Sequence, residues 1–142
     1  MRSRLAFALG VCLLFPAGAG AAKTPLPSFR SPSGNIRCFD AGVLHCAIAK
    51  ADYATTLQQR CISGAGVDWH GFELSASGKG AISCSGGILY NPDTQVPRYP
   101  KLPYGRTWRQ GGFTCGSAVT GVTCHNRAGA GLFISRQSWR AF

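Results

Sequence analysis

At 142 residues, with 45% hydrophobic residues and seven cysteines, the chain is long enough for one domain with its own core and too short for two. Fifteen Lys and Arg oppose five Asp and Glu, for a formal net charge of +10. That balance favours anionic partners, but the basic residues do not run together, so charge alone predicts weak, salt-sensitive adhesion and no particular ligand.

The first segment reads as a secretion signal. Arg2 and Arg4 supply a positive start, Leu5 to Phe15 an unbroken apolar run, and Ala17 to Ala22 a stretch of small residues after Pro16. Ala19-Gly20-Ala21 fits the small-x-small pattern of signal cleavage, which places the cut after Ala21, with Ala22 as the alternative. The apolar run is shorter than the roughly 20 residues that span a bilayer. Cys12 lies inside this run, and Val11 stands where a lipid-attachment motif needs a small residue, so Cys12 leaves with the signal. Removing Arg2 and Arg4 from the 15 basic residues leaves 13 against five acidic ones, a mature charge of +8. The expected organisation is a signal peptide over 1–21, a short linker over 22–28 and a single domain over 29–142.

Beyond the signal the pattern is all-β. Short alternating runs are separated by turns rich in Ser, Gly, Asn and Pro, and no apolar stripe of period 3.6 is sustained. Only Ala51 to Arg60 suggests a helical turn or two. Ile36 shares its parity with Cys38, Leu44 and Ile48 with Cys46, Ile82 with Cys84, Phe113 with Cys115, and Val122 with Cys124. Side chains of a strand alternate between faces, so these cysteines belong to the apolar faces and their bridges to the core. Ser33-Gly34 before Ile36-Arg37-Cys38, Ser77-Gly78 before Ile82-Ser83-Cys84, and Thr120-Gly121 before Val122-Thr123-Cys124 suggest three hairpin units. With two cysteines to each unit, the expected bridges are Cys38–Cys46, Cys61–Cys84 and Cys115–Cys124, one of 15 possible connectivities. The expected fold is a small single-domain antiparallel β-sheet or sandwich of disulfide-linked hairpins.

The segment Phe29-Arg30-Ser31-Pro32-Ser33-Gly34-Asn35-Ile36-Arg37-Cys38 resembles the opening of a family of secreted bacterial domains of unknown function. Leu102-Pro103-Tyr104-Gly105, Gly112-Phe113-Thr114-Cys115, Gly121-Val122-Thr123-Cys124 and Leu132-Phe133-Ile134-Ser135-Arg136 extend the resemblance over Phe29 to Phe142. The chain departs from it at Ser85-Gly86-Gly87, where such domains often carry Gly-Asp-Thr, and at Gly129-Ala130-Gly131-Leu132, where they often read Gly-His-Gly-Phe. The resemblance implies secretion and compactness, and no activity.

Catalytic patterns are sparse. The densest cluster of ionisable groups is Asp68-Trp69-His70-Gly71-Phe72-Glu73. On a regular strand Asp68 and His70 face one way and Glu73 the other, so a metal-dependent hydrolase needs these three to converge with help from elsewhere. The favoured reading is a polar turn entering a strand, with no metal and no cofactor. His45 and His125 adjoin Cys46 and Cys124 with opposite parity, which points both to solvent. No Cys-x-x-Cys, serine elbow or phosphate loop is present, and paired cysteines offer no thiolate nucleophile. The expectation is a protein that is not an enzyme.

The strongest candidate for a working surface runs from Arg98 to Arg109. Arg98, Lys101, Arg106 and Arg109 alternate there with Tyr99, Tyr104 and Trp108, and Pro100 and Pro103 restrict the backbone. Arg98, Lys101, Tyr104, Arg106, Trp108 and Arg109 are the candidate binding residues, with cations for phosphate or carboxylate and rings for stacking. The competing reading is a structural crossover with Tyr104 packed inward. The expected role is non-enzymatic binding at the cell envelope, in the periplasm or the medium. Its ligand would be an anionic polymer, lipid headgroups or a protein; nucleic acid would not be a physiological partner. A secreted inhibitor or effector that binds a protein target is the alternative.

Overall fold

The computed structural model describes residues 27–85 and 99–142. The signal peptide with Cys12, the cleavage position and Arg98 lie outside the described residues. Among the described residues, ten strands form two antiparallel sheets, each a five-stranded meander in sequence order. The first holds β1 (Ser28–Arg30), β2 (Ile36–Asp40), β3 (Leu44–Ile48), β4 (Asp68–Leu74) and β5 (Ala81–Ser85). The second holds β6 (Thr107–Gln110), β7 (Phe113–Ala118), β8 (Gly121–His125), β9 (Gly131–Ile134) and β10 (Trp139–Ala141). A helix, α1 (Ala54–Ala65), connects β3 to β4.

The sheets pack face to face around a single buried apolar cluster, as period-two alternation demands when one face of each sheet is apolar. Across the first sheet the register aligns Phe29, Cys38, Cys46, Phe72 and Ile82 in one row. Across the second it aligns Trp108, Cys115, Cys124, Leu132 and Ala141. Each row carries a disulfide between its second and third strands, Cys38–Cys46 and Cys115–Cys124. The rows meet at the centre: the sulfurs of Cys38, Cys46 and Cys124 lie within 4.8 Å of one another. Phe29 and Trp108 meet in the same way, their rings 5.1 Å apart.

The third bridge, Cys61–Cys84, has a different role. The repeat is not three hairpins but two meanders, because Cys61 lies on α1 rather than in a strand. The helix is longer than the turn or two expected over Ala51 to Arg60. It buries only Leu57 and Cys61, four residues apart on one face, and ends where Gly66 adopts φ 68° and donates its N–H to the Ile62 carbonyl. Gln58 ties it to β4, accepting from the Trp69 N–H and donating to Asp68. A stripe this narrow, interrupted by Thr55, Thr56 and Gly64, gives little periodic signal, and the disulfide supplies the anchoring that burial does not.

Two expectations about side-chain direction are corrected. In β4, Trp69 pairs with Cys84 and Gly71 with Ser83, so His70 is an extra residue with no partner on β5. This bulge shifts the alternation. It lets Trp69 and Phe72, three apart in sequence, both pack on the core, with their rings 5.6 Å apart. His45, expected in solvent, is partly buried and stacked on Phe39 at 5.1 Å, because the outward face of β2 presents an aromatic ring beside it. His125 is exposed, with its ring edge-on to Phe142 at 5.2 Å.

Burial holds the His45 imidazole below its ordinary value of 6.5, against the opposing pull of Glu73 and Asp40. The unfolded chain therefore takes up this proton more readily than the folded one. Stability from neutral His45 is complete above about pH 6.5 and is lost as the pH falls through the lower folded value. Urea midpoints should accordingly drop between about pH 7 and pH 5, and His45→Gln should flatten that slope. An unchanged slope in the variant would assign the dependence to other groups.

Candidate functional site

The segment singled out in the sequence divides into three parts. Its first part is laid along the free edge of β1: the Arg30 N–H donates to the Pro100 carbonyl, and the Leu102 N–H donates to the Arg30 carbonyl, both at 2.9 Å. Leu102 is buried in the core, while Lys101 is exposed. This part is a crossover that joins one sheet to the other. Next comes a turn, closed by the Arg106 N–H to the Pro103 carbonyl and fixed to β7 by the Gly105 N–H to the Ser117 carbonyl. Tyr104 stands out from this turn at 45% exposure, so it is not packed inward. The last part is the edge strand β6, where Trp108 turns in against Phe29 and Arg109 remains exposed. Arg106, at the start of the strand, is exposed as well. Lys101, Tyr104, Arg106 and Arg109 are thus available to a ligand, and Trp108 is a packing residue.

The charge is segregated in a way that the linear spacing conceals. Residues 99–142 contain Lys101, Arg106, Arg109, Arg127, Arg136 and Arg140, all exposed, and no Asp or Glu. Residues 27–85 contain five basic side chains against Asp40, Asp52, Asp68 and Glu73. The second sheet and its approach therefore hold most of the excess positive charge of the described residues. On the outward face of that sheet, the Arg140 guanidinium lies 5.6 Å from the Phe133 ring centre and 5.5 Å from that of Phe142. Reasoning from local clusters misses this surface, although the sequence carries one signal for it: after Asp93 no acidic residue follows.

A cleft of about 470 Å³ opens at one end of the sandwich, where the β1–β2, β7–β8 and β9–β10 turns approach the Tyr104 turn and the residues after β3. Its walls are stiffened from within. The Asn35 side chain clamps the backbone of Lys50, accepting its N–H at 2.8 Å and donating to its carbonyl at 3.0 Å. The Ser31 hydroxyl accepts the Ile36 N–H at 3.1 Å, and the Ser135 hydroxyl donates to the Ser138 carbonyl at 3.0 Å. Tyr53 closes the join between α1 and the second sheet by donating its hydroxyl to the Ser135 carbonyl at 2.9 Å. Burial, with Asp52 adding to it, pushes the Tyr53 phenol up to about 12, so it stays a neutral donor.

Asp68, His70 and Glu73 have separate engagements. Asp68 accepts from Gln58 at 2.7 Å, the His70 ring Nε2 bonds the Ser85 carbonyl at 3.0 Å, and Glu73 pairs across the sheet with His45. Among the described residues, the one group of three metal-ligand side chains in mutual reach is Cys38, Cys46 and Cys124. Their sulfurs belong to the two central disulfides. Also among the described residues, no helix is long and apolar enough to cross a membrane.

The chain belongs to a family of unknown function, DUF6636, whose model matches residues 7–142. No curated protein and no solved structure matches it.

Proposed function

We propose that this chain is an exported, non-enzymatic binding domain of the cell envelope that holds an anionic polymer against its second sheet. The observation that carries this reading is the segregation of charge: six exposed cations and no Asp or Glu over residues 99–142. A surface of one sign attracts polyanions over the range of the Debye length and keeps several contacts in play at once. Lys101, Arg106 and Arg109 provide the cations nearest the crossover, and Arg140 with Phe133 and Phe142 continues the surface over the outward face. The three disulfides are compatible with an oxidising compartment, and the secretion signal read at residues 1–21 is the route to it.

The test is charge reversal at exposed positions. Arg106→Glu with Arg109→Glu should weaken adsorption to an anionic polysaccharide or to anionic vesicles about tenfold in dilute buffer. The difference should vanish near 1 M salt, where the Debye length is about 3 Å. Thermal stability should be unchanged, since neither side chain is buried. Equal binding by both proteins at low salt would refute this surface. Salt-insensitive capture of a protein target would move the reading to a secreted inhibitor.

A further inference from the structure

The cleft at the end of the sandwich is a second site that borders the basic surface and shares Arg136 with it, and we propose that it binds an acidic saccharide: a pyranose unit bearing a carboxylate. Its volume of about 470 Å³ falls within the range of about 300–1,000 Å³ that holds small ligands. Its chemistry is more specific than its size. Lys50 and Arg136 place two cations in the lining. Among the described residues Arg136 is paired only with Asp52, at 3.3 Å across an exposed contact with side chains 62% and 57% accessible. Such a pair is weak and exchanges readily for a ligand anion.

The side chains of Lys50, Tyr104, Thr120 and Gln137 form no hydrogen bond or ion pair with other described residues. They supply an ammonium, two hydroxyls and an amide to a ligand rich in hydroxyl groups. The remaining feature is apolar. Tyr104 at 45% exposure and Val119 at 82% lie in the same lining, and an aromatic ring beside free donors matches the C–H face of a sugar ring. Inorganic phosphate would satisfy the cations and leave Tyr104 and Val119 unused, while a neutral sugar would leave Lys50 without a counter-charge. The site is also preformed: the Asn35 clamp and the Ser31 and Ser135 turn bonds fix three of its walls without a ligand, which lowers the ordering cost of binding.

The probe is a trisaccharide of galacturonic acid, compared with its methyl ester and with inorganic phosphate, by calorimetry and amide-shift mapping on the mature protein. The acid should bind, and shifts should concentrate at Ser33 to Ile36, Lys50, Tyr104 and Thr120. Lys50→Gln and Tyr104→Ala should each weaken it about tenfold, as for loss of one contact to a charged or stacked group. Both side chains project from the surface, so folding, checked by thermal melt, should be retained. Arg106→Glu with Arg109→Glu should change this affinity by less than about threefold, which separates failure of the sheet surface from failure of the cleft. Equal binding of the ester would overturn the acidic-saccharide assignment, and so would phosphate competing at the same concentration as the acid. Shifts confined to the second sheet, or no binding at millimolar probe, would overturn the site itself.

Discussion

Reduction of the three disulfides should unfold this domain at about 37 °C, and that is the largest effect expected of any single treatment. The bridged cysteines are 8, 23 and 9 residues apart. Loop-closure entropy assigns about 2.5 kcal/mol to each short bridge and about 3.5 kcal/mol to the long one. The combined loss of about 8.5 kcal/mol is comparable with the whole stability of an ordinary domain, about 5–15 kcal/mol. Position adds to the effect. Cys38, Cys46, Cys115 and Cys124 are at most 1% exposed, and their sulfurs fill the centre where the two sheets meet. Reduced thiols there would occupy the same place without holding either strand pair together. The bridge from Cys61 to Cys84 should be separable: Cys61→Ser with Cys84→Ser frees α1 and should cost about 3.5 kcal/mol while the two meanders persist. Circular dichroism and intrinsic fluorescence with and without reductant measure both. A fully reduced protein that keeps native spectra and a cooperative melt near that of the oxidised form would show that packing alone holds the sandwich.

Much of this core is legible in the sequence because disulfides and parity report the same geometry. Ile36 with Cys38, Leu44 with Cys46, Phe113 with Cys115 and Val122 with Cys124 each place a cysteine on the apolar face, and in the fold each lies in the central cluster. The helix is harder to see. Leu57 and Cys61 are its only buried residues, so its stripe is too narrow to stand out from a polar loop. Parity fails at His70 for a definite reason: alternation is a local rule, and one inserted residue inverts it downstream. The polar cluster around His70 therefore reads as a turn entering a strand in the sequence, whereas in the fold it is itself part of β4 and its aromatic members enter the core.

Of the two surfaces, the basic one is half visible. Arg106 and Arg109 are close in sequence and exposed, but Arg140 joins the same sheet from 31 positions beyond Arg109 and shares with it only the absence of neighbouring carboxylates. The cleft is not visible at all. Its walls come from turns between residues 31 and 137, each an ordinary Ser, Gly or Asn turn by itself. Only the stacking of two meanders brings them to one end.

Gly71→Ala should be the most damaging single substitution of a small residue, with a loss of about 3–4 kcal/mol. Gly71 follows the bulged His70 and has φ 113°, a conformation that costs a side-chain-bearing residue about 1–3 kcal/mol. The space is closed as well. A Cβ there would strike the Cys46 carbonyl oxygen and lie 3.1 Å from the Ala47 Cα, so β3 itself would have to move, adding about 1–3 kcal/mol of overpacking. The Gly71 carbonyl also accepts the Trp69 indole N–H at 2.7 Å, which orients the ring that packs on Phe72. Relieving the clash by straightening β4 would restore regular alternation and turn Trp69 out of the core, so neither response avoids the penalty. Gly64→Ala is the matched control: it lies in α1, where an added methyl would meet nothing within 4 Å, and helix propensity predicts a gain of up to about 1 kcal/mol. The melting temperature of Gly71→Ala should fall by more than about 10 °C, with the near-ultraviolet signal of Trp69 diminished, while Gly64→Ala melts at or above the parent. If the two variants melt together, the bulge is not held as described and Trp69 reaches the core by another route.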